Sequence, residues 1–180
     1  MRPPIPGGPE EVILLALVAA SAFTDVKERR IPNGFTYPAI IAGLLLAVVN
    51  GPCAVLDHAG AALAATLLFA PLCWTGGMGM GDLKLMAAVG ALMGLAFTAA
   101  AAIDAAIAGG VLAACVIARH GFDMARFLDV LRLPGAMVRS VKTGKRPRLR
   151  RTPPRETVPY GAAIAAGCLV AWWFGWSFLP

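Results

Sequence analysis

With 180 residues, 58% of them hydrophobic and only 14% charged, and a mean hydropathy of +0.72, this chain is too apolar for an ordinary soluble domain. The net charge of +6 is concentrated: 11 of the 16 Lys and Arg residues lie between Arg119 and Arg155. In an apolar chain that clustering reads as a loop held in the cytoplasm, not as a nucleic-acid surface.

The expected class is an all-α polytopic membrane protein of about six spans, forming one membrane-embedded domain over 1–180. Segments of alternating polarity that would suit a β-barrel are absent from the sequence. Cys53, Cys73, Cys115 and Cys168 form no C-x-x-C pair. They read as small packing residues, and no metal or cofactor is expected.

In chain order, a Pro/Gly-rich tail precedes an apolar segment from about Val12 to Thr24, which can extend to Val26. Ala20-Ser21-Ala22 resembles a signal-peptidase site, but the charges oppose removal. Glu10 and Glu11 precede the segment and Lys27, Arg29 and Arg30 follow it, so a retained helix with an outside N-terminus is expected. Ile31-Pro32-Asn33-Gly34 reads as a turn, and a second span follows from about Phe35 to Val49.

The third span is predicted from about Ala59 to Trp74, ending in a glycine-rich turn, Gly76 to Gly81. Leu83 to Ala118 suits two short spans with a tight turn near Thr98–Ala101. The basic segment, about 119–159, is predicted as a loop near the anionic inner leaflet, with an amphipathic stretch at Phe122–Leu133. A last span from about Tyr160 to Phe178 carries Trp172, Trp173 and Trp176 as an interfacial belt. Six spans place both termini outside and put Asp25 and Asp82 together at cytoplasmic helix ends.

Four acids could carry chemistry, because ionisable groups near a span are costly. Asp57 and Asp104 are expected near outer ends, reaching water or capping a helix. Taken singly, Asp25 reads as an interfacial acid beside Lys27 and two arginines, and Asp82 as a helix N-cap. As a pair at one depth they offer more. Two neighbouring carboxylates share a proton, so one can act as base on water while the other polarises a peptide carbonyl. The glycines before Asp82 would let backbone and substrate approach closely. A phosphate-cradling loop is excluded, since there is no G-x-x-x-x-G-K-[ST] and no preceding strand. Gly90-Ala91-Leu92-Met93-Gly94 is a G-x-x-x-G expected to serve packing within one molecule.

Gly79-Met80-Gly81-Asp82, continuing as Leu83-Lys84, resembles the G-x-G-D motif of intramembrane aspartyl proteases, with the Lys of type IV prepilin peptidases. Asp25 through Ile31-Pro32-Asn33 resembles that family's first aspartate region, and Val158-Pro159-Tyr160-Gly161 is similar to the motif opening its last span.

The resemblance implies a metal-independent aspartyl endopeptidase in the bacterial inner membrane. Asp25 and Asp82 would be catalytic, with Gly79, Gly81 and Lys84 in support. Its partners would be prepilin or pseudopilin precursors, trimmed of a short basic leader at the cytoplasmic face. Longer members carry a cysteine-paired insert after the first span and also methylate the new N-terminus. Here that connection is short and lacks the cysteine pair. The chain therefore resembles the peptidase-only type associated with Flp or tight-adherence pili. Two other classes are a small proton-coupled transporter using Asp25, Asp82 and Asp104 as a relay, and a non-catalytic scaffold of a secretion complex.

Overall fold

The computed structural model describes residues 7–28, 31–74, 78–120 and 160–174. These form α1 (Pro9–Glu28), α2 (Asn33–Asn50), α3 (Pro52–Trp74), α4 (Met80–His120) and α5 (Tyr160–Phe174), with no strand among the described residues. Three of the helices, Asn33–Asn50, Pro52–Trp74 and Met80–Cys115 within α4, are long and apolar enough to cross a membrane. α5 is a shorter apolar helix, and α1 is as long as a span but carries acids at both ends. The Lys142–Arg155 run, the Phe122–Leu133 stretch, Val158-Pro159 and Trp176 lie outside the described residues.

The core is built around the first part of α4. From Asp82 to Leu92 every residue except Lys84 is buried, led by Leu85, Met86, Val89 and Leu92. Leu14, Leu17 and Val18 of α1 and Ile164 and Cys168 of α5 join this core. Close helix approach comes from small residues. A Cβ placed on Gly90 would stand 2.8 Å from the backbone of Ala61 and Ala62 in α3, so side-chain bulk there would force the helices apart. That half of the G-x-x-x-G does serve packing within the molecule.

The other half does something else. Gly94 has φ 77° and ψ −178°, a conformation essentially restricted to glycine, and it breaks α4 into two limbs. The tight turn expected near Thr98–Ala101 is therefore at Gly94, and residues 98–101 are helical. The break survives because α3 repairs it. The Asp57 carboxylate accepts the freed Leu95 N–H (3.3 and 3.4 Å to its two oxygens), and the His58 Nδ1–H donates to the freed Ala91 carbonyl at 2.9 Å. Thr98 Oγ1 turns back onto Gly94 O.

This arrangement corrects two boundaries. The third helix begins at Pro52, not near Ala59, because proline suits a first helical turn. Asp57 thus sits inside α3 and caps α4 from there. Asp104 is not near a helix end either: it lies ten residues past the break, beside Cys168 of α5.

Candidate functional site

At one end of the helical assembly the C-terminus of α1 meets the N-termini of α4 and α5. Asp25, in the last turns of α1, is only 7% exposed, and so is Asp82, in the first turn of α4. The two carboxylates lie close enough for the charge of Asp25 to bear on Asp82. Residues far apart in the chain are thereby brought into one buried polar site.

Each carboxylate is held at a helix N-terminus. Asp82 is not the N-cap of α4. Gly79 has that place, and Asp82 stands three residues on, with its Oδ2 accepting the Gly79 N–H at 3.2 Å while its own N–H donates to Gly79 O at 3.2 Å. The side-chain bond is one half of a capping box, and with glycine at the cap a backbone carbonyl accepts the return bond. Asp25 does the same for α5 across the chain: its Oδ2 accepts the Ala162 N–H at 3.3 Å. The unsatisfied N–H groups and the positive end of each helix dipole thus favour negative charge at both positions.

The walls are glycine by necessity. A Cβ on Gly161 would fall 2.8 Å from Asp25 Oδ2, so any side chain there would displace the carboxylate. On Gly79 it would come 3.0 Å from Asp82 Oδ2, and on Gly81 3.0 Å from the Ile31 Cβ. The Gly81–Ile31 contact seats the Ile-Pro-Asn turn directly against the start of α4. Gly76 and Gly77 lie outside the described residues.

Lys84 does not join the carboxylates. Its Nζ donates to Asn33 Oδ1 at 2.9 Å and lies 5.0 Å from the centre of the Tyr37 ring. Lys84 therefore ties the start of α2 to the start of α4, immediately beside the Ile31–Gly81 contact. Asn33, Tyr37 and Ile31 are site residues that sequence reading missed as partners. The signal was present in the Ile-Pro-Asn turn, read there as a helix breaker and as part of the first aspartate motif, without a partner in α4. Cys73, at the end of α3, adds a weak contact, its thiol donating to Gly79 O at 3.3 Å.

The opposite end is also polar. A cavity of about 140 Å³ is lined by Glu10, Glu11, Asn50 and His58 beside Leu46, Leu92 and Met93, and Trp172 Nε1 donates to Glu11 Oε2 at 3.4 Å. Asp57 belongs to this end. No three His, Cys, Asp or Glu side chains among the described residues are gathered as a metal site. All four cysteines are unpaired, with Cys168 buried.

Apolar helices, three of them long and apolar enough to cross a membrane, enclose a buried carboxylate pair at one end. Residues 12–114, which include both Asp25 and Asp82, match the type IV leader peptidase family, and the chain belongs to that family. A prepilin leader peptidase/N-methyltransferase from Aeromonas hydrophila is 34% identical over 90 residues, covering 46% of this chain and 31% of that protein. The chain thus aligns with about a third of that relative's length. No solved structure matches it.

Proposed function

We propose that this chain is an aspartyl endopeptidase of the bacterial inner membrane that removes the short basic leader from prepilin-like precursors, using Asp25 and Asp82. The observation that carries the reading is the meeting of these two buried carboxylates beneath glycine walls, at the junction of three helix ends. Family membership supplies the leader-peptidase chemistry that such a pair would serve.

The pair holds one proton. The ionised carboxylate takes a proton from water as its oxygen attacks the scissile carbonyl carbon, while the protonated carboxyl donates to the carbonyl oxygen. Collapse of the tetrahedral diol breaks the C–N bond: the departing amine takes a proton from the protonated carboxyl while a diol hydroxyl returns one to the ionised carboxylate, which leaves the acid product and restores the pair.

The break at Gly94 supports a reading with six crossings, made by α1, α2, α3, the two limbs of α4 and α5. The position of basic residues then favours both termini outside and the Asp25–Asp82 end in the cytoplasm. The charge of the 119–159 segment supports the same orientation. The short connection after α1 supports the peptidase-only type, acting on Flp-like precursors without methylating them.

Co-expression with candidate precursors tests the reading. Leader removal is expected with the natural chain and is expected to disappear with Asp25→Asn and Asp82→Asn, both still inserted in the membrane. Full cleavage by either variant would sink the pair.

A further inference from the structure

Ser21 is left unexplained by the site as described. It is fully buried, and its hydroxyl is the one buried side-chain polar atom without a hydrogen-bond partner among the described residues. Such an orphan loses its hydration without a replacement bond, a cost that an alanine would avoid. Alanine occupies both sides of it, at Ala20 and Ala22. A helical serine ordinarily escapes the cost by bonding a carbonyl of the preceding turn. Thr24 does so in the same helix, reaching Ala20 O at 3.0 Å and Ser21 O at 3.1 Å. Ser21 does not.

Its position says where it is aimed. Ser21 lies four residues before Asp25, so the two stand one turn apart on the same face of α1 with Cβ atoms about 5–6 Å apart. The rest of that face, Leu14, Leu17 and Val18, is buried and apolar. Asp25 is therefore the polar group on its own helix face. The Ser21 hydroxyl makes no direct bond to Asp25, and a bridge of two hydrogen bonds of about 2.8 Å end to end would join them. One water fills that requirement, and a buried water needs just such polar partners.

We propose that Ser21 is a positioning residue that holds a water molecule against the inner side of the Asp25–Asp82 pair. The inference rests on the pair being the hydrolytic centre. The serine hydroxyl would fix the hydrogen-bond direction at Asp25 from below, leaving the open side of the pair for substrate.

The test uses the full chain in lipid nanodiscs with a prepilin-like precursor, comparing the natural chain, Ser21→Ala and Ser21→Thr. Ser21→Ala is expected to lower kcat about tenfold with KM unchanged, as for one lost water-mediated bond. Ser21→Thr, which restores the hydroxyl, is expected to return kcat to within about threefold of the natural value. Infrared spectroscopy supplies the second readout. The carboxyl band of the pair, assigned by its loss in Asp25→Asn and Asp82→Asn, should move in Ser21→Ala and stay in Ser21→Thr. Natural kcat and an unmoved band in Ser21→Ala would make Ser21 a packing residue and overturn the proposal. So would a loss of activity that tracks lower thermal stability and is not restored by Thr. If the natural chain releases no leader, the peptidase reading fails by itself, and the carboxyl band still decides the role of Ser21.

Discussion

The first limb of α4 has glycine and aspartate at both ends and uses them in opposite ways. At its far end, Gly94 breaks the helix and Asp57 reaches from α3 to cap the new start, with both oxygens turned on one N–H group. Asp57 is exposed, and its capping role accounts for it fully. At its near end, Asp82 also meets a helix N-terminus, but it is buried, faces a second aspartate and is walled by glycine instead of solvent. Capping alone explains the first acid. It does not explain burying two acids together, which costs far more than a cap returns.

The sharpest way to break this comparison is to make the same change at both ends. Asparagine keeps the shape and still accepts an N–H bond, so Asp82→Asn and Asp57→Asn should both unfold close to the natural temperature. Their activities should part completely. Leader removal should fall by about 10³-fold or more in Asp82→Asn, the scale of losing a general acid or base, and remain natural in Asp57→Asn. Comparable activity in the two variants would erase the distinction between the ends.

Glycine substitutions sharpen it next. Gly161→Ala pushes a methyl group into Asp25 Oδ2, and a displacement of that kind costs about 10²-fold in rate. Gly60→Ala in α3 is the control, because nothing lies within 4 Å of its Cβ position. It should leave cleavage unchanged and slightly strengthen the helix. Initial rates on one precursor, normalised to folded protein, would check both.

Lys84 and Asn33 should give a smaller, coupled effect. Lys84→Met and Asn33→Ala each release the start of α2 from α4, and each is expected to slow cleavage about fivefold to tenfold. Because they remove one shared bond, the double variant should be little slower than either single one. Additive losses would mean that Lys84 acts on the carboxylates by another route.

How much of this was legible in the sequence follows the same division. Asp25 and Asp82 stood out because each sits in a polar, turn-forming motif at the edge of an apolar run, and charge bias put both on one side. The Gly94 break did not stand out, since it falls in an Ala/Gly/Leu stretch where any of several glycines could take a positive φ. What selects Gly94 is a pair of side chains in another helix, Asp57 and His58, and that helix starts earlier than its hydropathy suggested. The Lys84–Asn33 bond and the Gly161 wall were hidden for the same reason. Each motif was readable alone, but pairing between motifs depends on helix rotation and crossing, which an evenly apolar pattern does not encode.

Asp57→Ala isolates the smallest term in the comparison. It leaves the Leu95 N–H without its carboxylate, and an exposed cap of this kind is worth about 1 kcal/mol. The loss should appear as a modest fall in thermal stability in detergent, with the rate of leader removal per folded molecule unchanged. His58→Ala should act in the same direction by releasing the Ala91 carbonyl, and the two losses should not add fully, because both groups serve one break. A drop in the cleavage rate instead would show that the Gly94 break sets the placement of Asp82 through the buried limb between them, and the two ends would then be parts of one site.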